Sequence, residues 1–160
     1  MKYKAILSLI LTVCFVLFGC GVGNTSTDIR FYYCSANMDY GPEDMAVKPE
    51  TRKETLDPLA YAQLVEKYLE GPVSSSLHSP FPEGTKLVSI TVDQQAANIV
   101  LTNDFASLTG IDLTVACACL SLTVREITGC AKVQISAENT LLDNKQAITM
   151  DTNELVFMDA

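Results

Sequence analysis

The sequence predicts an α+β fold: a single domain with a mainly antiparallel sheet and two helices packed on one face. Three observations carry that expectation. Apolar and polar residues alternate in short segments at 29–34, 85–93, 97–101 and 131–137. Two longer segments, beginning near Asp57 and Asp112, space their apolar residues as helices do. Glycine, proline, asparagine and aspartate stand between these segments, where the chain must turn.

Ile29, Phe31 and Tyr33 share one face of the first strand, residues 29–34. Asn37, Asp39, Gly41 and Pro42 end it, and residues 45–53 return as an edge strand interrupted by Pro49. Asp57-Pro58 starts the first helix: the carboxylate accepts from free amides, while proline occupies a position that needs no donor. Tyr61, Leu64, Val65 and Tyr68 form its apolar face and Gly71-Pro72 ends it. Residues 73–82 read as a surface loop, its backbone stiffened by Pro80 and Pro82.

In the next strand Val88, Ile90 and Val92 point inward, and Ala97, Ile99 and Leu101 repeat the pattern after a short connection, which predicts an antiparallel hairpin. Residues 103–109 are polar and small. From Asp112, the expected cap, to Gly129, the expected stop, the chain is apolar almost all round, as a helix packed across a sheet must be. Ala131, Val133, Ile135 and Ala137 then define a strand with one wet face. Leu141-Leu142 and residues 147–150, on either side of Asp143-Asn144-Lys145, predict a second hairpin.

The amino terminus specifies an address. Lys2 and Lys4 precede an apolar run that ends in Leu17-Phe18-Gly19-Cys20, the pattern of a bacterial lipobox with a small residue before the cysteine. Residues 1–19 are the expected signal peptide and Cys20 the expected lipidated first residue of the mature chain. The run is shorter than the roughly 20 residues needed to cross a bilayer, so the expected anchor is acyl chain, at about 0.8 kcal/mol per buried methylene. Residues 20–28, rich in glycine, serine and threonine, are the expected tether; residues 29–150 form the domain and 151–160 a tail. The expected location is the extracytoplasmic face of the cell membrane, with palmitate or a similar acyl chain on Cys20.

Removing the first 19 of 160 residues leaves 141, enough for one well-buried domain. Two of the 11 basic residues leave with the signal, so 9 basic face 19 acidic residues and the mature net charge is −10. Such a surface repels nucleic acid. Its simplest consequence is solubility.

Once Cys14 is cleaved away and Cys20 lipidated, Cys34, Cys117, Cys119 and Cys130 remain. Cys117 and Cys119 lie two apart on a helix and diverge by about 200°, so they do not bridge each other. These cysteines read as small buried apolar residues, with one bridge involving Cys34 or Cys130 left open. His78, the single histidine, stands among Ser74, Ser75, Ser76 and Ser79, and exposed loop polarity accounts for it better than serine–histidine chemistry. Glu43-Asp44 lacks the spaced oxygen ligands of a calcium loop. No catalytic residue, metal site or cofactor is expected.

Four stretches carry a family resemblance: Tyr68-Leu69-Glu70-Gly71-Pro72; residues 79–87, SPFPEGTKL; residues 98–105, NIVLTNDF; and Ser121-Leu122-Thr123 with Gly129-Cys130-Ala131-Lys132-Val133-Gln134-Ile135. In order and spacing they resemble the GerMN domain of sporulation and spore germination proteins, over residues 29–145. Gln94-Gln95 stands where that family usually turns on glycine. The resemblance implies an exported, membrane-anchored module in a spore-forming or related bacterium, acting by protein contact and without a known reaction. The expected partner is another exported protein, met through a sheet edge or the loop at 74–83. The alternative is a cell-wall or germinant ligand held in a pocket near Tyr61, Tyr68 and Phe81, with Ser79 and Glu83 also expected among the binding residues.

Overall fold

The structure, a computed structural model, describes residues 26–36, 46–93 and 95–155. The signal peptide, Cys20 and the turn residues Asn37, Asp39, Gly41 and Pro42 lie outside the described residues, as does most of the expected tether. The element order is β1 (Ser26–Ser35), β2 (Val47–Thr55), α1 (Tyr61–Leu69), β3 (Leu77–His78), β4 (Leu87–Val92), β5 (Ala96–Leu101), α2 (Gly110–Thr128), β6 (Lys132–Ala137) and β7 (Ile148–Asp151). The fold is α+β, as expected. Its strands are divided between two sheets, β2-β1-β3 and β4-β5-β6-β7, where a single sheet was expected. One apolar cluster joins Ile29, Phe31 and Tyr33 of β1 to Ile99 of β5, Leu120 of α2 and Val133 of β6, so the two sheets share a core.

β1 is longer than its alternation suggested. It starts at Ser26, so residues 26–28 of the expected tether are strand. Ile29, Phe31 and Tyr33 are buried as predicted. Opposite Tyr32 stands Pro49 of β2. Ser35 N–H donates to Ala46 C=O, and the alternation of an antiparallel ladder then places the Tyr32–Pro49 pair where neither backbone donates to the other. Pro49 therefore leaves no ladder bond unmade.

Tyr32 turns its own amide and carbonyl the other way, beyond the reach of the short β3. There Thr123 Oγ1 of α2 accepts from Tyr32 N at 2.9 Å, and Tyr68 O–H of α1 donates to Tyr32 O at 2.7 Å. Side chains from two helices close an edge that no strand covers. This satisfies backbone groups whose burial unpaired costs on the order of 1–3 kcal/mol each.

Asp57 caps as predicted, its Oδ1 accepting from Leu59 N at 2.9 Å, but the first turn is a 3-10 turn (Pro58–Ala60) and α1 proper begins at Tyr61. Gly71 follows the helix at φ +102°, a conformation that side chains disfavour. The β4–β5 hairpin forms without glycine because Asp93 Oδ1 accepts from Gln95 N and Ala96 N at 2.9 and 2.8 Å. A register shift between Leu87 and Ser89 disturbs β4, so Val88, expected inside, is 45% exposed, while Leu87 and Ile90 pack against the core. The polar segment after β5 holds a 3-10 turn (Asn103–Ser107) that buries Phe105.

Thr109, not Asp112, holds the N-cap position of α2, without a side-chain cap bond, and Asp112 lies in the first turn, where a carboxylate favours the positive helix end. Gly129 stops it as predicted, left-handed at φ +77°, with its N–H donating to Arg125 O at 2.8 Å. The helix carries the chain across so that β6 pairs parallel to β5, the one parallel ladder among the described strands. The predicted second hairpin is smaller than expected: Leu142 and Lys145 exchange both backbone bonds around Asp143 and Asn144, both at positive φ. β7 pairs with β6 instead, and Thr152, in the expected tail, is buried with its O–H donating to Ala131 O.

Candidate interaction surface

The loop after α1 is held from below by two side chains of β2. Glu50 and Arg52 lie two apart on a strand and therefore share a face. Glu50 Oε2 accepts from Ser74 N at 2.8 Å and Val73 N at 3.0 Å. Arg52 donates to Glu50 Oε1 at 2.5 Å, to Gly71 O at 2.8 Å and to Tyr33 Oη at 3.2 Å, with its guanidinium 4.9 Å from the centre of the Phe31 ring. Both side chains are only 12% exposed. Burial disfavours the Glu50 charge, but the two amides and Arg52 outweigh it and hold the carboxyl below its ordinary value. Burial pushes the Tyr33 phenol well up, and its O–H donates to Tyr68 O at 2.9 Å. Arg52 and Tyr33 thus donate to two carbonyls where α1 ends, Gly71 O and Tyr68 O, the latter also accepting from Gly71 N at 3.1 Å.

Of the residues expected to bind, Tyr68 and Phe81 meet each other and the core. Tyr68 has no exposed surface; its ring stacks on Phe31 at 5.8 Å and meets Phe81 edge-on at 5.4 Å, and Phe81 continues to Phe105 at 6.1 Å. Ser79 Oγ accepts from Phe81 N and shapes the loop, while Glu83 is exposed beside it. Tyr61 stands apart at the start of α1, half-buried. The structure thus spends Tyr68 and Phe81 on packing and leaves Tyr61 on a surface. His78 pairs with Cys34 in β3, and among the described residues no hydrogen bond joins it to Ser74, Ser76 or Ser79; Ser74 and Ser76 bond each other at 2.8 Å.

That surface is a groove of about 530 Å³ between the entry to α1 and β4, lined by Pro58, Leu59, Tyr61, Ala62, Ile90 and Val92. β4 pairs with β5 alone and so forms one edge of its sheet. Asp93 N donates to Ala96 O, and the alternation of the ladder then turns the backbone groups of Ile90 and Val92 away from β5. Val92 keeps the inward face predicted for it but is 39% exposed, and Leu59 across the groove is 92% exposed. Three large apolar side chains, Leu59, Val88 and Val92, therefore flank an unpartnered strand edge. Sequence reasoning named the sheet edge as a contact surface without choosing which edge. Glu50 and Arg52 were missed; their signal was opposite charge at a two-residue spacing beside Pro49.

No helix among the described residues is long and apolar enough to cross a membrane. No group of three or more histidine, cysteine, aspartate or glutamate side chains among them is placed to hold a metal ion.

Comparison with known proteins places these features in a family. The family model Germane, described as sporulation and spore germination, matches residues 30–143. No curated protein matches the sequence. Among solved structures, the chain resembles the tandem GerMN domains of the sporulation protein GerM from Bacillus subtilis, with TM-score 0.60 and 15% identity over 84% of this chain and 48% of that one. It spans about half of that tandem pair. The first GerMN domain of the same protein gives TM-score 0.58 and 16% identity over 78% of this chain and 96% of that one. A protein from Clostridium perfringens described as a candidate lipoprotein gives TM-score 0.52 and 17% identity over 81% and 89%. At such identities these structures speak for the fold alone; the family match, covering most of the domain, says more. The chain belongs to the Germane family of sporulation and spore germination, and its α+β domain is a GerMN domain.

Proposed function

We propose that this chain is a lipid-anchored, extracytoplasmic module of sporulation or spore germination that works by binding another exported protein along the β4 edge, without catalysing a reaction. The observation that carries the reading is the apolar groove beside that edge: Leu59 and Val92, which line it, stay in water while the backbone of β4 lacks a second partner strand. An added strand from a partner would satisfy the outward groups of Ile90 and Val92 and cover the groove's apolar side chains, worth on the order of 1.5–3 kcal/mol for the nearly bare Leu59 and less than half of that for Val92, which is 39% exposed. The family's role in sporulation and germination agrees with this, as does the described lipoprotein from Clostridium perfringens of similar fold. The sequence from Lys2 to Cys20 supplies the anchor.

A photoreactive residue placed at Leu59 or Val92 tests the reading in sporulating cells. The expected result is a covalent adduct with an exported protein from either position, the Leu59 adduct being lost when Val88 and Val92 are both replaced by lysine, with the thermal midpoint of the purified protein shifted by less than about 2 °C because both sites are exposed. Absence of adducts at both positions, with normal sporulation in the double lysine variant, would remove this surface from consideration. Palmitate incorporation lost in Cys20→Ala checks the anchor separately.

A further inference from the structure

Two of the four cysteines among the described residues are side by side. Cys34 lies near the end of β1, opposite His78 of β3, and Cys119 stands in the middle of α2; with Val47 and Leu122 they form a small apolar cluster outside the main core. Their side chains lie close enough to influence each other's ionisation. Cys117 and Cys130 belong to the main core instead, and Cys130 Sγ approaches Asp93 O at 3.8 Å. Cys117 points about 200° around the helix from Cys119. The contact between them lowers the Cys34 thiol and raises the Cys119 thiol, to which burial adds. Cys34 is also the member with surface, 8% against none for Cys119.

We propose that Cys34 and Cys119 are a disulfide-forming pair, oxidised by a disulfide-bearing thiol reagent or protein, and that the bridge locks β1 onto α2. The Cys34 thiolate attacks one sulfur of the oxidant; that S–S bond breaks, a mixed disulfide forms, and the first thiol leaves with the proton Cys34 gave up. Cys119 then surrenders its proton as its sulfur attacks the Cys34 sulfur, and the second thiol leaves with that proton. One external disulfide is reduced to two thiols and two protein thiols become one disulfide. The assignment of roles follows from exposure, since Cys34 reaches the surface, where an oxidant can meet it, and Cys119 does not. The bridge ties the three-stranded sheet to the central helix at a point otherwise joined by apolar packing and the bond from Tyr32 to Thr123. It closes a long loop, from residue 34 to residue 119, whose restriction in the unfolded chain is where most of the stabilisation arises. It neither needs nor tests the β4 edge.

The test is to incubate the purified full chain with oxidised glutathione at pH 8, alkylate it in denaturant without reduction, and map the peptides. The expected map joins the Cys34 peptide to the Cys119 peptide and leaves Cys117 and Cys130 alkylated. The oxidised protein should melt on the order of 10 °C above the reduced one. Cys119→Ser should abolish both effects, and Cys117→Ser neither. Alkylation of both Cys34 and Cys119 after oxidation, glutathione remaining on Cys34, or a bridge to another cysteine would overturn the pairing. A joined pair without a rise in melting temperature would overturn the locking role.

Discussion

Replacing Arg52 by methionine keeps the side-chain stem against Phe31 and removes the guanidinium. Three acceptors then lose their donor: Glu50 Oε1, Gly71 O and Tyr33 Oη, previously held at 2.5, 2.8 and 3.2 Å. Hydrogen bonds from a charged donor are worth about 1.5–3 kcal/mol each, and breaking a buried ion pair costs about 3–5 kcal/mol because one charge is left behind. Glu50 keeps the amides of Ser74 and Val73, and both partners retain 12% exposure, so the lower end applies: a loss of about 3 kcal/mol. In urea this appears as a lower midpoint at unchanged slope, and thermally as a fall on the order of 10 °C.

The pH dependence gives the same clamp a second signature. The Glu50 carboxyl is held below its ordinary 4.5, so its contribution is present above pH 4.5 and is lost as pH falls through the lower folded value. Without Arg52 that loss should begin at higher pH. A double-mutant cycle with Glu50→Gln separates the pair from its surroundings, with a coupling above about 1 kcal/mol expected. A fall of less than 1 kcal/mol in Arg52→Met, with additive effects in the cycle, would refute the clamp.

Thr123→Val removes the acceptor for Tyr32 N while keeping shape, and should cost about 1–3 kcal/mol in chemical denaturation; Thr123→Ser, which keeps the oxygen, should recover most of it. Gly129→Ala meets no atom within 4 Å, so its cost is the left-handed backbone alone, about 1–2 kcal/mol read as a lower melting temperature.

Much of the fold was legible because it rests on local rules. Alternation located β1, β5 and β6, since residues two apart share a face and a wrong register would expose every apolar side chain. Asp57-Pro58, Gly71 and Gly129 marked helix ends through backbone chemistry that acts within a few residues. Where the rules failed, the deciding partner was distant. Val88 alternates correctly in sequence, but a bulge in β4 against β5 turned it out. Asp112 has the right chemistry for a cap, yet the helix began two residues earlier. The second hairpin was misread because β6, not Leu141-Leu142, offered β7 the longer ladder.

The chain by itself determined which residues could be inside, where its backbone must turn, and through the run ending at Cys20 an expected address at the membrane. It also carried enough ordered motif to announce its family. Tertiary structure alone decided that the strands divide into two sheets, that Tyr68 and Phe81 serve packing, and that Tyr61 lines an open groove. It alone brought Glu50 and Arg52 under the loop at 71–74, Thr123 to the bare edge of β1, and Cys34 against Cys119. The physical reason is range: propensity, capping and alternation act over a few residues, whereas an unpaired amide, a buried charge or a thiol finds its partner only when segments far apart in sequence are packed together.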